Sequence, residues 1–226
     1  DGPQDLEFGP DGNLYVASLY NNRVVRFNGV TGAFISVYVP RIDFNVPEGP
    51  IGIAFGPHDG HLYVASGNGN QILRFIGPGG FLGFILGGYP FSEPFVEFGG
   101  TPSIVAPQDI VFGPDGNGDG IGELFVSSPS GIFRYDGELG TFIDIFASDG
   151  GLAGPRGLVF GADGDLYVAA SGTGAILQYD GVTGDFIRQY DLPDTGPYAM
   201  SLPTGITFGP DGDLYVASCG SHNVLR

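Results

Sequence analysis

One phrase recurs five times along this chain and constrains its fold more than any other feature. FGPDG, or a variant of it, places its aromatic residue at Phe8, Phe55, Phe112, Phe160 and Phe208, at spacings by subtraction of 47, 57, 48 and 48. LYVAS or a close relative follows each copy, at Leu14 to Ser18, Leu62 to Ser66, Leu124 to Ser128, Leu166 to Ala170 and Leu214 to Ser218. A third segment comes next: VVRFNG from Val24, ILRFIG from Ile72, IFRYDG from Ile132 and ILQYDG from Ile176. A fourth reads AFISVYV from Ala33, FLGFIL from Phe81, TFIDIFA from Thr141 and DFIRQYD from Asp185. Each segment is short, rich in β-branched or aromatic residues and bounded by Gly, Pro, Asp or Asn, which is the signature of a strand.

The unit is therefore four strands and three turns, repeated about every 48 residues, and a repeat of that length and content points to a β-propeller blade. An all-β propeller of four-stranded blades is expected, as a single domain over 1–226 with blades near 1–47, 48–104, 105–152, 153–200 and an incomplete 201–226. The PDG turn joins first strand to second: Pro presets the first turn position, Asp bonds its own backbone, and Gly accepts positive φ. A sandwich is disfavoured by the strict period and the identical turn chemistry.

The stretch LYVASLYNNRVVRFNGVTGAF, Leu14 to Phe34, with Pro3, Pro50, Pro107, Pro155 and Pro203 each opening a copy, resembles the NHL repeat family. The resemblance covers essentially the whole chain. It implies a propeller and leaves function open, because such propellers serve as binding platforms, scaffolds, lyases and lactonases. The family usually closes with six blades, whereas here the fifth copy ends at Val224, Leu225 and Arg226 inside its third strand. The ring is then five-bladed with one thin blade, part of a six-bladed or larger ring, or completed by a strand that another chain donates. An incomplete sequence is the favoured reading.

The second copy is longer by about ten residues, a difference taken directly from its spacing. The stretch Gly87 to Ala106 reads as a long connection that packs Phe91, Phe95 and Phe98 onto its own ring or contacts a ligand or partner.

Charge narrows the partners. The chain has 25 acidic against 8 basic residues, a formal net charge of -17, and every basic residue is Arg. Phosphate binding needs basic surface, so nucleic acid is excluded as a partner and divalent cations are the natural ones. No apolar run approaches the about 20 residues of a membrane span. Cys219, the single cysteine, forms no intrachain disulfide, and with His222 three residues away it reads as a strand-end cysteine rather than a nucleophile.

One turn carries chemistry. Leu124 lies 12 positions beyond Phe112, against six in the first, fourth and fifth copies and seven in the second. The expanded turn reads D-x-N-x-D-G-x-x-E through Asp115, Asn117, Asp119 and Glu123. Alternate oxygen side chains, a Gly for the bend and a backbone carbonyl after it suit a hard cation with about six to eight oxygen ligands, hence calcium. The twelfth position is Val126, so this is not an EF-hand loop. It resembles the shorter DxDxDGxxD-type loop of calcium-binding propellers, which implies side-chain ligands at Asp115, Asn117, Asp119 and Glu123 and a carbonyl ligand at Ile121. The ion would be structural. The alternative is an ordinary solvated turn, since Asp11, Asp163 and Asp211 occupy the same place elsewhere.

In propellers the innermost strands line a channel, and its mouth is the default site. The starts of the first strands supply Gln4, Asp5, Gln108, Asp109 and Arg156, while Gly52 and Gly205 stand in the remaining copies. Propellers with lactonase activity hold a metal with such groups, but the set here is incomplete, and His58, His61 and His222 mark no general acid or base. The loops YNN, GNGN, PSG, GTGA and GSHN between second and third strands are polar and varied, as a display surface would be. The expected function is a secreted or cell-surface, non-enzymatic propeller that binds calcium and a protein or glycan ligand. The alternative is a metal-dependent lactonase-type hydrolase or a lyase.

Overall fold

The computed structural model describes residues 1–40, 48–78, 92–96, 102–190 and 200–226. The first sheet consists of β1 (Pro3–Phe8), β2 (Leu14–Ser18), β3 (Arg23–Phe27) and β4 (Phe34–Val39), and the second of β5 (Pro50–Phe55), β6 (Leu62–Ser66), β7 (Gln71–Phe75) and β8 (Ser92–Val96). The third holds β9 (Ile110–Phe112), β10 (Leu124–Ser128), β11 (Gly131–Tyr135) and β12 (Phe142–Ala147). β13 (Pro155–Phe160), β14 (Leu166–Ala170), β15 (Ala175–Tyr179) and β16 (Phe186–Tyr190) form the fourth; β17 (Pro203–Phe208), β18 (Leu214–Ser218) and β19 (Asn223–Leu225) form the fifth, with three strands among the described residues. Neighbours in every sheet are consecutive and antiparallel. The chain is a β-propeller, and no helix occurs among the described residues. Its contacts divide into two compact units, Asp1–Phe112 with Leu139–Thr141, and Gly113–Glu138 with Phe142–Arg226.

The strands fall where the repeat places them, with one correction. FLGFIL from Phe81, expected as the fourth strand of the second copy, lies outside the described residues, as do Phe91 and Phe98. The strand that pairs with β7 is Ser92–Val96, inside the stretch expected to be a connection. Pro94 has no N–H to give a ladder, so it is tolerated here because β8 ends the sheet order β5-β6-β7-β8. Packing selects the segment: the Phe95 ring meets Tyr63 edge-on at 4.8 Å, with the Arg74 guanidinium 5.4 Å from its centre.

Packing is tightest at the second strands. β6, β10 and β14 are buried along their whole length, on both faces. Within the first unit, Tyr15, Ala17, Val24, Tyr38 and Val39 of the first sheet form one core with Ile53, Leu62, Val64, Leu73 and Phe75 of the second. In the second unit, Tyr167, Ala169 and Ile176 of the fourth sheet form another with Met200, Val216 and Leu225.

The first strands share a defect that matters for the site. β1, β5, β13 and β17 each carry a bulge between their proline and the aliphatic residue three positions on, so that Pro3 faces Ser18 while Leu6 faces Val16. The extra residue turns the strand and re-aims the side chains between these two positions.

The turn after the first strand is locked by one repeated bond in the first, second, fourth and fifth sheets. The Asp of the turn accepts from the Tyr hydroxyl four residues on: Tyr15 to Asp11 at 3.2 Å, and Tyr63 to Asp59, Tyr167 to Asp163 and Tyr215 to Asp211 each at 2.8 Å. Burial and the partner carboxylate raise the Tyr63 hydroxyl, so it stays a donor at any ordinary pH. Asp59→Ala is expected to cost about 1–3 kcal/mol in urea unfolding, because it strands that buried hydroxyl. In a Tyr63→Phe background the same substitution should cost less; equal costs in both backgrounds would show that the bond contributes nothing.

Candidate functional site

The expanded third turn closes on the same pair as its shorter counterparts. Gly9 donates to the Asn13 carbonyl at 2.9 Å, Gly161 to Asp165 at 2.9 Å and Gly209 to Asp213 at 2.8 Å; Gly113 donates to Glu123 at 3.0 Å. Glu123 thus stands where Asn13, Asp165 and Asp213 stand, and the extra residues bulge out between. Gly118 and Gly120, at φ 82° and 89°, supply the left-handed bends that residues with a Cβ rarely adopt.

Each oxygen side chain expected to bind metal is aimed by backbone donors. Asp115 accepts from Gly118 N–H at 2.6 Å and Gly120 N–H at 2.8 Å. Asn117 accepts from Asp119 N–H at 2.9 Å and donates to the Asp119 carboxylate at 2.9 Å, which also accepts from Ile121 N–H at 2.8 Å. Glu123 is only 1% exposed, and its carboxylate accepts from Gly116 N–H at 2.9 and 2.8 Å and from Asn117 N–H at 2.9 Å. Asp136, in the next turn, brings an oxygen to 3.5 Å from the Asn117 amide. Among the described residues no three His, Cys, Asp or Glu side chains converge on one point as a metal group.

Around this turn the interactions of the other repeats are reassigned. Asp115 binds loop amides instead of a ring hydroxyl, and the strand after it carries Phe125 where the others carry Tyr. Elsewhere the third strand sends a polar side chain to the turn: Arg26 to Asp11, Arg226 to Asp213, and Gln178 to Asp165 at 2.6 Å. Arg134 instead pairs with Asp144 on β12, through Nε at 3.1 Å and Nη2 at 2.5 Å. Glu123 has no ion pair among the described residues. The signal for this switch was present in the sequence, as LFVSS against LYVAS, and only its structural meaning was missing.

The residues expected at a channel mouth are largely occupied with structure. Asp5 sits in the β1 bulge and accepts from its own neighbour Leu6 N–H and from Ile53 N–H of β5, both at 2.8 Å. It ties the first sheet to the second. Asp109 accepts from Ile110 N–H at 2.9 Å, and its backbone lies against Gly52, where a Cβ would come within 2.7 Å of the Asp109 Cα. Gln108 donates to the Ala106 carbonyl at 2.8 Å. Gln4 is exposed; Arg156 is exposed too, with Nε 3.3 Å from the Ser171 hydroxyl. In the display loops, Asn22 and Asn70, both with positive φ, accept from Gly49 N–H at 3.0 Å and Ala106 N–H at 2.7 Å, so they fasten the segment that leads to the next sheet. Cys219 is exposed, as a strand-end residue.

Burial pushes the Asp5 carboxyl up to about 6 against the pull of its two amide donors. Glu7, exposed as a residue, is nonetheless raised to about 7, first by burial of its carboxyl and then by the charge of Asp5. A carboxyl raised on folding binds its proton more readily in the native state than in the unfolded chain, where Asp titrates near ~3.9. These groups therefore add stability at low pH and lose it as pH rises from about 4 to about 7. Asp5→Asn should flatten that part of the profile of melting temperature against pH; an unchanged profile would remove Asp5 from the account.

No family model matches the chain, and no curated protein matches it in sequence. Solved structures do. A catalytically inactive virginiamycin B lyase from Staphylococcus aureus with quinupristin superposes with a TM-score of 0.68 at 21% identity over 98% of this chain and 65% of that one. A nidogen/laminin complex gives 0.72 at 18% identity, over 98% and 74%. A streptogramin B lyase gives 0.63 at 18% identity, over 97% and 76%. The chain spans less than two thirds of the length of the Staphylococcus aureus lyases, and at these identities the likeness is one of fold alone.

Proposed function

We propose that this chain is an NHL-like propeller serving as a non-enzymatic interaction module, with its third turn held by a structural calcium ion. One observation carries the reading: a single repeat abandons the turn bond of its fellows and buries a carboxylate, Glu123, that no arginine meets among the described residues. The donor set is all oxygen, from Asp115, Asn117, Asp119 and Glu123 with the Ile121 carbonyl, and suits a hard divalent cation. Their bonds to loop amides do not compete with such an ion. A carboxylate has about four lone-pair sites, and ligating carboxylates are commonly oriented by hydrogen bonds of this kind. Bound there, the ion would supply charge neutralisation and no reaction step.

A site of this sort at an acidic surface fits surroundings with calcium in the millimolar range, so we place the protein outside the cell or on its surface. The loops around Tyr20, which is 75% exposed, are the surface we assign to a protein or glycan ligand.

Calcium in excess should raise the melting temperature by several degrees over chelator, since a ligand bound only by the native state stabilises it by mass action. Asp119→Ala should abolish the difference while folding normally in chelator. Equal melting temperatures in calcium and chelator for the unaltered chain would overturn the assignment.

A further inference from the structure

After the third strand of each of the first four sheets the fold demands a glycine. A Cβ on Gly29 would lie 1.9 Å from the Gly12 carbonyl oxygen in the turn after β1, and Gly77, Gly137 and Gly181 are confined in the same way, at 1.8, 2.0 and 1.8 Å from the carbonyl oxygens of Gly60, Gly122 and Gly164. The residues before these glycines are Asn28, Ile76, Asp136 and Asp180. At this place the first repeat alone joins an asparagine to a backbone nitrogen that no Cβ shields.

The Asn28 side chain is held ready for that nitrogen. Its Oδ1 accepts from Val30 N–H at 3.0 Å and from Thr31 N–H at 2.8 Å, while the Gly29 N–H makes no hydrogen bond among the described residues. Two amide donors on Oδ1 polarise Cγ and meet the negative charge that attack there places on the oxygen. The other two Asn-Gly pairs lack the combination. Gly118 N–H is bound to Asp115 at 2.6 Å, and the side-chain oxygen of Asn68 receives no donor among the described residues. Asp180 occupies the place of Asn28 in the fourth sheet and accepts from Val182 N–H at 3.0 Å and Thr183 N–H at 2.8 Å, the same two bonds at the same lengths. The amides of Thr183 and Val182 hold its carboxyl below the usual carboxylate range. Its hairpin rests on the preceding sheet, where a Cβ on Gly184 would lie 2.0 Å from the Phe146 carbonyl oxygen, yet Asp180 is only half-buried, as Asn28 is. Covering a hairpin of this kind leaves the position within reach of water.

We propose that Asn28 is a site of spontaneous deamidation, which gives the first hairpin the chemistry of the fourth. Base removes the Gly29 N–H proton, the nitrogen closes on Asn28 Cγ, and ammonia leaves as a succinimide ring forms. Water then opens the ring. Breaking its bond from nitrogen to Cγ gives aspartate, and breaking its bond from nitrogen to the main-chain carbonyl carbon gives isoaspartate. One water is consumed and one ammonia released, with no change of oxidation state. Aspartate keeps the main-chain length set by the two hairpin bonds, Asn28 N–H to the Ala33 carbonyl and Gly32 N–H to the Asn28 carbonyl, both 2.8 Å. Its carboxylate takes the two amide donors that already seat an anion at Asp180, and NGVTG from Asn28 becomes DGVTG, the sequence from Asp180. The reaction needs no metal and stands apart from the calcium reading.

Peptide mapping by mass spectrometry tests it, on the 226-residue chain incubated at mildly alkaline pH with chelator, folded and in parallel unfolded in urea. Trypsin cuts after Arg26 and Arg41, so Asn28 is read in its own peptide. In the folded chain Asn28 should gain the mass of the amide-to-acid exchange about tenfold faster than Asn68 or Asn117, the effect expected of oxyanion donors. In urea the three should react at like rates, because the ranking comes from the fold. Asn28→Asp should fold and melt with the unaltered chain at neutral pH. An Asn28 that reacts no faster than Asn68 or Asn117 in the folded chain overturns the proposal. So does a ranking that persists in urea, or an Asn28→Asp chain that melts well below the unaltered one.

Discussion

A four-stranded sheet of this kind cannot bury both of its faces alone, and the structure depends on how each sheet covers the next. The ring contacts do that work at one recurring position. The pairs Tyr15–Phe55, Tyr63–Phe112, Phe125–Phe160 and Tyr167–Phe208 lie 4.9 to 5.2 Å apart; Tyr15, Tyr63 and Tyr167 are also fixed, through their hydroxyls, to the turn that precedes them, and Phe125 keeps the distance without one. In the three tyrosine repeats one side chain thus serves both turn chemistry and inter-sheet packing. Asp59 holds Tyr63, Tyr63 packs T-shaped against Phe112, and Phe112 ends the next first strand. Buried hydroxyls need partners, so in these repeats turn and ring cannot vary independently.

The third repeat shows what happens when it does vary. Lengthening the turn carries Asp115 into a loop whose amides claim both its oxygens. A tyrosine at 125 would then lose the acceptor that its counterparts use. Phe125 keeps the ring contact and drops the hydroxyl, and Arg134 turns to Asp144. Three differences, the lengthened turn, Phe125 on the second strand and the Arg134–Asp144 pair between the third and fourth, thus express one change.

Most of the fold was legible because its signals are local: period-two strands, PDG turns and a fixed repeat. The exception is instructive. FLGFIL is more apolar than SEPFV, and composition alone favours it as a strand, but Phe95 supplies the ring that covers Tyr63, and that requirement is tertiary. The order of oxygen side chains in the third turn was equally legible, since a loop of alternating ligands is a local feature. The role of Asp5 was not, because its partner Ile53 belongs to another repeat 48 residues away and is reached only through a bulge.

Glu123 carries the physical case for treating the third turn as more than a solvated loop. An ionised carboxylate removed from water costs several kcal/mol unless donors or a cation compensate it. At the corresponding places Asp165 is met by Gln178 and Asp213 by Arg226. Glu123, 1% exposed, has backbone amides of Gly116 and Asn117, which offset part of that cost but bring no full positive charge. On the proposed reading a divalent ion supplies the missing charge, and the loop exists to hold it.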